Sequence, residues 1–265
     1  MSTNRFAVLG SPVDHSKSPL LHNAAYEYLG ISGTYTAIEV QKGELEKFLH
    51  QQGHNFDAFS ITMPLKEEAF RVAFEQDHIA SSIEVANTLI REGERWRASN
   101  TDVLGFVEIF KRHFASDLDA PVVLGSGSTS RSAILALSTL GVHGITLMAR
   151  NQRAAEEIQQ LFPALNITFL NWGGEISEGS LVVSAVPEVT NLRCAAAITH
   201  FLDVTYKDSS TSLKKAIGAP SYRLIDGLHL LVYQAAYQVL AMRSIDGDRF
   251  EEICDVMFKA LVPSN

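Results

Sequence analysis

Short apolar runs bounded by glycine or proline alternate with stretches of helical period through the first hundred residues. FAVLG (6–10) reads as a buried strand, and PLLHNAAYEYLG (19–30) as a helix with proline at its first position and glycine after its last. TYTAIEV (34–40), a helix over 43–50, AFSITM (58–63) and a helix after Pro64 continue a βαβ rhythm. VANTLIRE and RWRASNT then flank Glu92-Gly93-Glu94 as a hairpin. A turn centred on Gly93 sets Asn87 opposite Ser99 and Asn100, gathering two Asn-Thr pairs and Asp102.

After a helical pattern over 104–113, the polar loop SDLDAP marks a domain boundary. VVLG, a helix over 129–140, ITLMAR (145–150), a helix over 153–162, NITFL, LVVSAV (181–186) and FLDVTY (201–206) follow in strict alternation. That is the pattern of a doubly wound, Rossmann-type nucleotide-binding domain. A last strand over 222–227 and two helices, 228–243 and 248–261, close the chain, and the helices are expected to pack back on the first domain. The fold class is therefore α/β, with domains over 1–104 plus 228–265 and over 105–227.

Composition narrows the chemistry. The 265 residues are 46% hydrophobic, enough for full cores. A net charge of −8 with no Lys/Arg run argues against nucleic acid or an anionic membrane as partner. No apolar run approaches the roughly 20 residues that span a bilayer. Cys194 and Cys254 lack metal-ligand spacing, and the polar start MSTNRF lacks a signal-peptide core, so a cytoplasmic protein without metal is expected. His15 reads as a loop brace, His22 as a surface position of the first helix, and His54, His78 and His113 as without metal partners. The charge and composition leave monomer and homodimer both open.

Four segments carry candidate chemistry. In GSPVDHSKSP, Ser18 reads as an N-cap, while Ser16, with no such duty, joins the free amides and the helix dipole as a site for a carboxylate or phosphate. Gly125-Ser126-Gly127-Ser128-Thr129-Ser130 follows a strand and opens a helix, either as an ordinary strand-to-helix turn or as a place where glycines let a backbone approach a pyrophosphate, although Ser130 replaces the third glycine. The next strand ends in Arg150, followed by Asn151 and Arg153, where an NAD site would place an acid; this favours NADP, unless Arg153 merely pairs with Glu156 or Glu157. Lys66 lies at the start of a helix, where the dipole disfavours its charged form and, if it faces a cleft, readies it for proton transfer against the opposing Glu67 and Glu68; the alternative is a solvated lysine. Asp102 either caps the following helix or, beside Asn87 and Asn100, pairs with Lys66 in a coupled acid/base unit.

Taken together, HSKSP, SITMPLK, the ANT and NTD pairs, GSGSTSR and DGLHLLVYQAA resemble the shikimate dehydrogenase family in order and spacing over the length of the chain, most of all its actinobacterial-type members. The resemblance implies NADPH-dependent reduction of 3-dehydroshikimate to shikimate, in the pathway to chorismate and the aromatic amino acids, by a substrate domain and a Rossmann domain. It implies that Ser16 and Ser18 hold the substrate carboxylate with Thr62 and Tyr206 nearby, that Lys66 and Asp102 are catalytic, and that Asn87 and Gln234 bind ring hydroxyls. On the cofactor side it implies Gly125, Ser126, Gly127, Ser128, Thr129, Arg150, Asn151, Arg153, Val186, Gly227 and Leu230. The chain departs from the family pattern at Ser60 (usually asparagine), Ser128 (glycine), Ala149-Arg150-Asn151 (Asn-Arg-Thr), Ser184-Ala185-Val186-Pro187 (an Asn-Ala-Thr pattern), His229 (glycine) and Leu230 (methionine). Two other readings stay open: an NAD-dependent quinate/shikimate dehydrogenase, and a non-catalytic sensor of shikimate-like acids or a nucleotide.

Overall fold

The structure is a computed structural model that describes residues 4–177, 179–190, 192–194, 198, 200–206, 213 and 222–262. The first three residues of the polar start thus lie outside the described residues. The chain divides into two units, the first Met1–Leu104 with Leu231–Asn265 and the second Gly105–Leu230.

The first unit opens with β1 (Asn4–Gly10), α1 (Ser18–Tyr28), β2 (Gly33–Glu39), α2 (Leu45–Gln52), β3 (Ala58–Ile61) and α3 (Lys66–Val72). β4 (Glu75–Gln76), α4 (His78–Ile83), β5 (Thr88–Glu92), β6 (Arg95–Ser99) and the start of α5 (Thr101–His113) follow. Its sheet runs β2-β1-β3-β5-β6-β4, with β1 parallel to both neighbours and β5 antiparallel to β3 and β6. Phe6 to Leu9 are at most 2% exposed, as a central strand covered on both faces requires. The hairpin turns where expected: Glu92 faces Arg95 and Thr88 faces Ser99, with Gly93 at φ +66°. The same register carries Asn87 to Asn100, one step beyond the last pair.

Three local expectations change. Helix α1 begins one residue early: Lys17 is its N-cap, without a side-chain cap bond, and Ser18 is already helical, because Leu21 N–H bonds to Lys17 O. Helix α2 begins at Leu45 rather than 43, since Gly43 at φ +85° stands outside helical space. His22 is not a surface residue but fully enclosed, stacked on Tyr35 of β2 with ring centroids 4.0 Å apart. Helix α1 is covered from two sides, by β2 and by the C-terminal helix α9 (Phe250–Leu261), so the face that carries His22 is shut off from solvent. α9 thus returns to the first unit, as does most of α8 (Gly227–Arg243).

The second unit contains β7 (Val122–Leu124), α6 (Ser128–Thr139), β8 (Gly144–Ala149), α7 (Gln152–Leu161) and β9 (Asn166–Asn171). β10 (Glu175–Ile176), β11 (Leu181–Ser184), β12 (Arg193–Cys194), β13 (His200–Asp203) and β14 (Arg223–Ile225) complete it. Six strands form one parallel sheet in the order β14-β13-β11-β7-β8-β9, while β10 and β12 pair separately. Numbered by appearance within that sheet, this is the 3-2-1-4-5-6 order of dinucleotide-binding folds, whose direction reverses between β7 and β11. Among the described residues no helix is long and apolar enough to cross a membrane.

Candidate active site

In the first unit, β1 and β3 lie side by side and parallel, so the loops that follow them leave from the same edge. Ser11 N–H donates to Met63 O at 3.0 Å and Thr62 N–H to Leu9 O at 2.9 Å, stitching the serine loop to the segment that carries Thr62 and Lys66. Gly10 makes the approach possible, since a Cβ there would fall 2.7 Å from Met63 O and still nearer the Thr62 methyl. In the serine loop, Ser16 does have a local duty: its Oγ accepts the Ser18 N–H at 3.3 Å. Ser18 is 7% exposed.

Lys66, the first residue of α3, donates from Nζ to Asp102 Oδ2 at 2.5 Å, with the two side chains 13% and 7% exposed. The alternative role of Asp102 falls to its neighbour: Asn100 Oδ1 accepts the N–H groups of Asp102 and Val103 at 3.0 and 3.4 Å, so Asn100 caps α5 and the Asp102 carboxylate turns inward. Its second oxygen accepts Asn87 Nδ2 at 2.9 Å, and the same nitrogen reaches Gln234 Oε1 at 3.4 Å. Four residues from α3, the hairpin, α5 and α8 thereby share one buried polar cluster. A lysine ammonium held in this way can give a proton to, or take one from, an oxygen placed beside it, and the carboxamides can direct hydroxyls.

In the second unit Gly125 leaves β7 at φ +105°, where a Cβ would come within 2.8 Å of Val186 Cγ1. Gly127 is different, with an extended backbone and open space around the position of a Cβ. It caps α6 with no side-chain bond, so the first amides of α6, over Ser128 and Thr129, face that opening. Ser130, in place of a third glycine, is fully buried with no hydrogen-bond partner for its Oγ. The Arg150 guanidinium lies 4.7 Å over the Trp172 ring, Asn151 Oδ1 caps α7 through the Ala154 N–H, and Arg153 pairs with Glu157 at 3.4 Å on the exposed face. Gly227 opens α8 against the Val204–Thr205 backbone, Thr205 C lying 2.8 Å from where its Cβ would be, and Leu230 is buried. A glycine cradle at the strand-order reversal, a free helix N-terminus and a basic strand end fit a dinucleotide with a phosphorylated ribose. Tyr206 stands three residues beyond β13, and burial raises its phenol so that it remains a hydrogen-bond donor at neutral pH.

Neither the place of Trp172 under Arg150 nor the capping role of Asn100 is legible in the sequence: the aromatic after β9 carries no spacing signal, and nothing local separates Asn100 from Asp102 as the cap of α5.

The model of the shikimate dehydrogenase substrate binding domain matches residues 8–89. The shikimate dehydrogenase (NADP(+)) of Prochlorococcus marinus is 34% identical, over 88% of this chain and 89% of its own. The chain belongs to the shikimate dehydrogenase family. Another shikimate dehydrogenase (NADP(+)), from Sinorhizobium medicae, is 32% identical over 88% and 87% of the two chains. The crystal structure of the Mycobacterium tuberculosis shikimate dehydrogenase is similar at 33% identity and TM-score 0.82, covering 97% of this chain and all of that one. The Thermus thermophilus shikimate 5-dehydrogenase, solved in complex with NADP(H) and shikimate, is similar at 26% identity and TM-score 0.81, covering 98% of this chain.

Proposed function

We propose that this protein is an NADP-dependent shikimate dehydrogenase that interconverts 3-dehydroshikimate and shikimate. The observation that carries the reading is the buried Lys66–Asp102 pair joined to Asn87 and Gln234. A pure sensor has no need of a proton donor held at 2.5 Å from its partner.

In this reading NADPH, when bound, supplies the hydride. The chain's residues do the rest. Lys66 Nζ gives the proton that the C3 carbonyl oxygen requires as it becomes a hydroxyl, and takes it back in the oxidation direction. Asp102 orients the lysine and accepts a substrate hydroxyl, while Asn87 and Gln234 direct the ring hydroxyls. Ser16 and Ser18, with Thr62 and Tyr206, take the carboxylate. Gly125 to Thr129, with Val186, Gly227 and Leu230, hold the dinucleotide, and Arg150, Asn151 and Arg153 the 2′-phosphate. Arg150 is the better placed of the two cations, because its ring stack presents the guanidinium while Arg153 is engaged by Glu157. The domain roles follow: substrate in 1–104 with 228–265, NADP in 105–227. A cytoplasmic location accords with a chain that has only two cysteines, far apart in sequence.

The test is the absorbance of reduced nicotinamide with purified protein and shikimate, NADP⁺ against NAD⁺, then quinate in place of shikimate. Rapid reduction of NADP⁺ with shikimate alone is expected. Preference for NAD⁺ or quinate overturns the specificity, and binding without turnover returns the sensor.

A further inference from the structure

Behind Asn87 runs a line of buried polar side chains that none of these roles uses. Tyr35 OH donates to Ser60 Oγ at 2.5 Å, Ser60 Oγ to Gln238 Oε1 at 2.7 Å, Gln238 Nε2 to Thr88 Oγ1 at 3.1 Å, and Thr88 Oγ1 to Asn87 Oδ1 at 2.9 Å. Asn87 Nδ2 completes it at Asp102. Tyr35, Ser60, Asn87, Thr88 and Gln238 are all at most 4% exposed.

Two backbone groups fix the direction of every link. Gln238 Nε2 also donates to the Asn87 carbonyl at 2.9 Å, which can only accept, so Gln238 Oε1 faces Ser60. Asn87 Oδ1 also accepts the Thr101 N–H at 2.8 Å, which can only donate, so Asn87 Nδ2 faces Asp102. The Thr88 hydroxyl receives the Gln238 amide and has a single proton to give, which goes to Asn87 Oδ1. Ser60 passes its own proton on in the same sense. Bonds aligned head to tail in a buried setting polarise one another and leave no low-energy alternative arrangement.

We propose that this directed chain, from Tyr35 to Asp102, sets the plane of the Asn87 carboxamide and through it the Asp102 carboxylate, with Thr88 and Gln238 as positioning residues for the substrate hydroxyls. The inference rests on the shikimate dehydrogenase reading and deepens it. The Thr101 N–H holds Asn87 Oδ1 from one side and the Thr88 hydroxyl holds it from the other, while the Thr101 hydroxyl lies 3.2 Å from the same oxygen and 3.0 Å from Nδ2. Without the Thr88 hydroxyl the amide is held at its oxygen by Thr101 alone and swings toward that side, moving Nδ2 off the line to Asp102.

The test compares Thr88→Val, which keeps the shape and removes the hydroxyl, with Thr88→Ser, which keeps the hydroxyl. Thr88→Val is expected to lower kcat/KM for shikimate about tenfold with KM for NADP⁺ unchanged, and Thr88→Ser to restore it to within about twofold. A purely structural hydroxyl would lower Tm without moving these constants. Equal kinetics for wild type and Thr88→Val, or a Thr88→Ser as impaired as Thr88→Val, overturns the relay while leaving the enzyme reading intact. Should Thr88→Val fail to fold, Ser60→Ala cuts the chain two links further back, and unchanged shikimate kinetics in that variant overturns it equally. A wild type without turnover sinks the enzyme reading alone, and the relay is then read by NMR. Faster solvent exchange of the Asn87 side-chain amide in Thr88→Val, reversed in Thr88→Ser, supports it, and unaltered exchange refutes it.

Discussion

Replacing Lys66 by methionine separates chemistry from binding. The substitution keeps an unbranched, mostly apolar side chain and removes the ammonium 2.5 Å from Asp102. Asp102, with its side chain 7% exposed, is then left with Asn87 as its remaining donor in the cluster. Removing one partner of a fully buried pair costs about 3–5 kcal/mol. The surviving Asn87 bond places this case near the lower end, about 3 kcal/mol. The catalytic loss is separate: a positioned general acid contributes about 10²–10⁴-fold, or about 3–5 kcal/mol of barrier. The assay is steady-state NADP⁺ reduction with shikimate, run well below the variant's Tm, beside a thermal-shift titration with shikimate. The expected result is kcat lower by at least about a hundredfold with shikimate still raising Tm. A Lys66→Met enzyme within about tenfold of wild type in kcat would refute the assignment of the proton to Lys66.

Arg150→Gln should raise KM for NADP⁺ about 10–100-fold while leaving the NAD⁺ rate unchanged, since hydrogen bonds to charged groups contribute about 1.5–3 kcal/mol; equal loss with both cofactors would place Arg150 outside 2′-phosphate recognition. Gly125→Ala meets both a φ of +105° and the Val186 methyl, 2.8 Å from the new Cβ, so denaturant unfolding should register a loss of about 1–3 kcal/mol and dinucleotide binding should weaken; wild-type values for both would show that the turn relaxes freely. Burial lowers the His22 pKa from 6.5 to about 3, with Gln238 beside it working weakly the other way. The unfolded chain therefore takes up this proton first: the stability it confers is complete above the unfolded pKa and is lost as pH falls toward the folded value. Urea midpoints should reveal a loss on the order of 2–3 kcal/mol between neutrality and about pH 4.5, and His22→Phe should flatten that slope.

Much of both units is determined by order along the chain. The apolar runs at 6–9 and 122–124 are buried on both faces wherever a parallel sheet places them, so periodicity and glycine punctuation suffice to find them. The hairpin register follows from the turn at Gly93, and with it the meeting of Asn87 with Asn100 and Asp102. Arg150 is set at a strand end by the length of β8. Other features depend on partners far away in sequence. His22 has the same helical position whether exposed or not, and only the packing of β2 and α9 around α1 encloses it. Ser18 and Asp102 both carry good capping side chains. Which residue caps is decided by a single backbone bond at Lys17 in one case and by the reach of Asn100 in the other. The Lys66–Asp102 contact joins residues 36 apart, and the Ser60–Gln238 bond residues 178 apart. Local propensity carries no information about such pairs. They exist because two parallel strands, a hairpin and a returning helix bring polar side chains to one buried place, where each must find a partner.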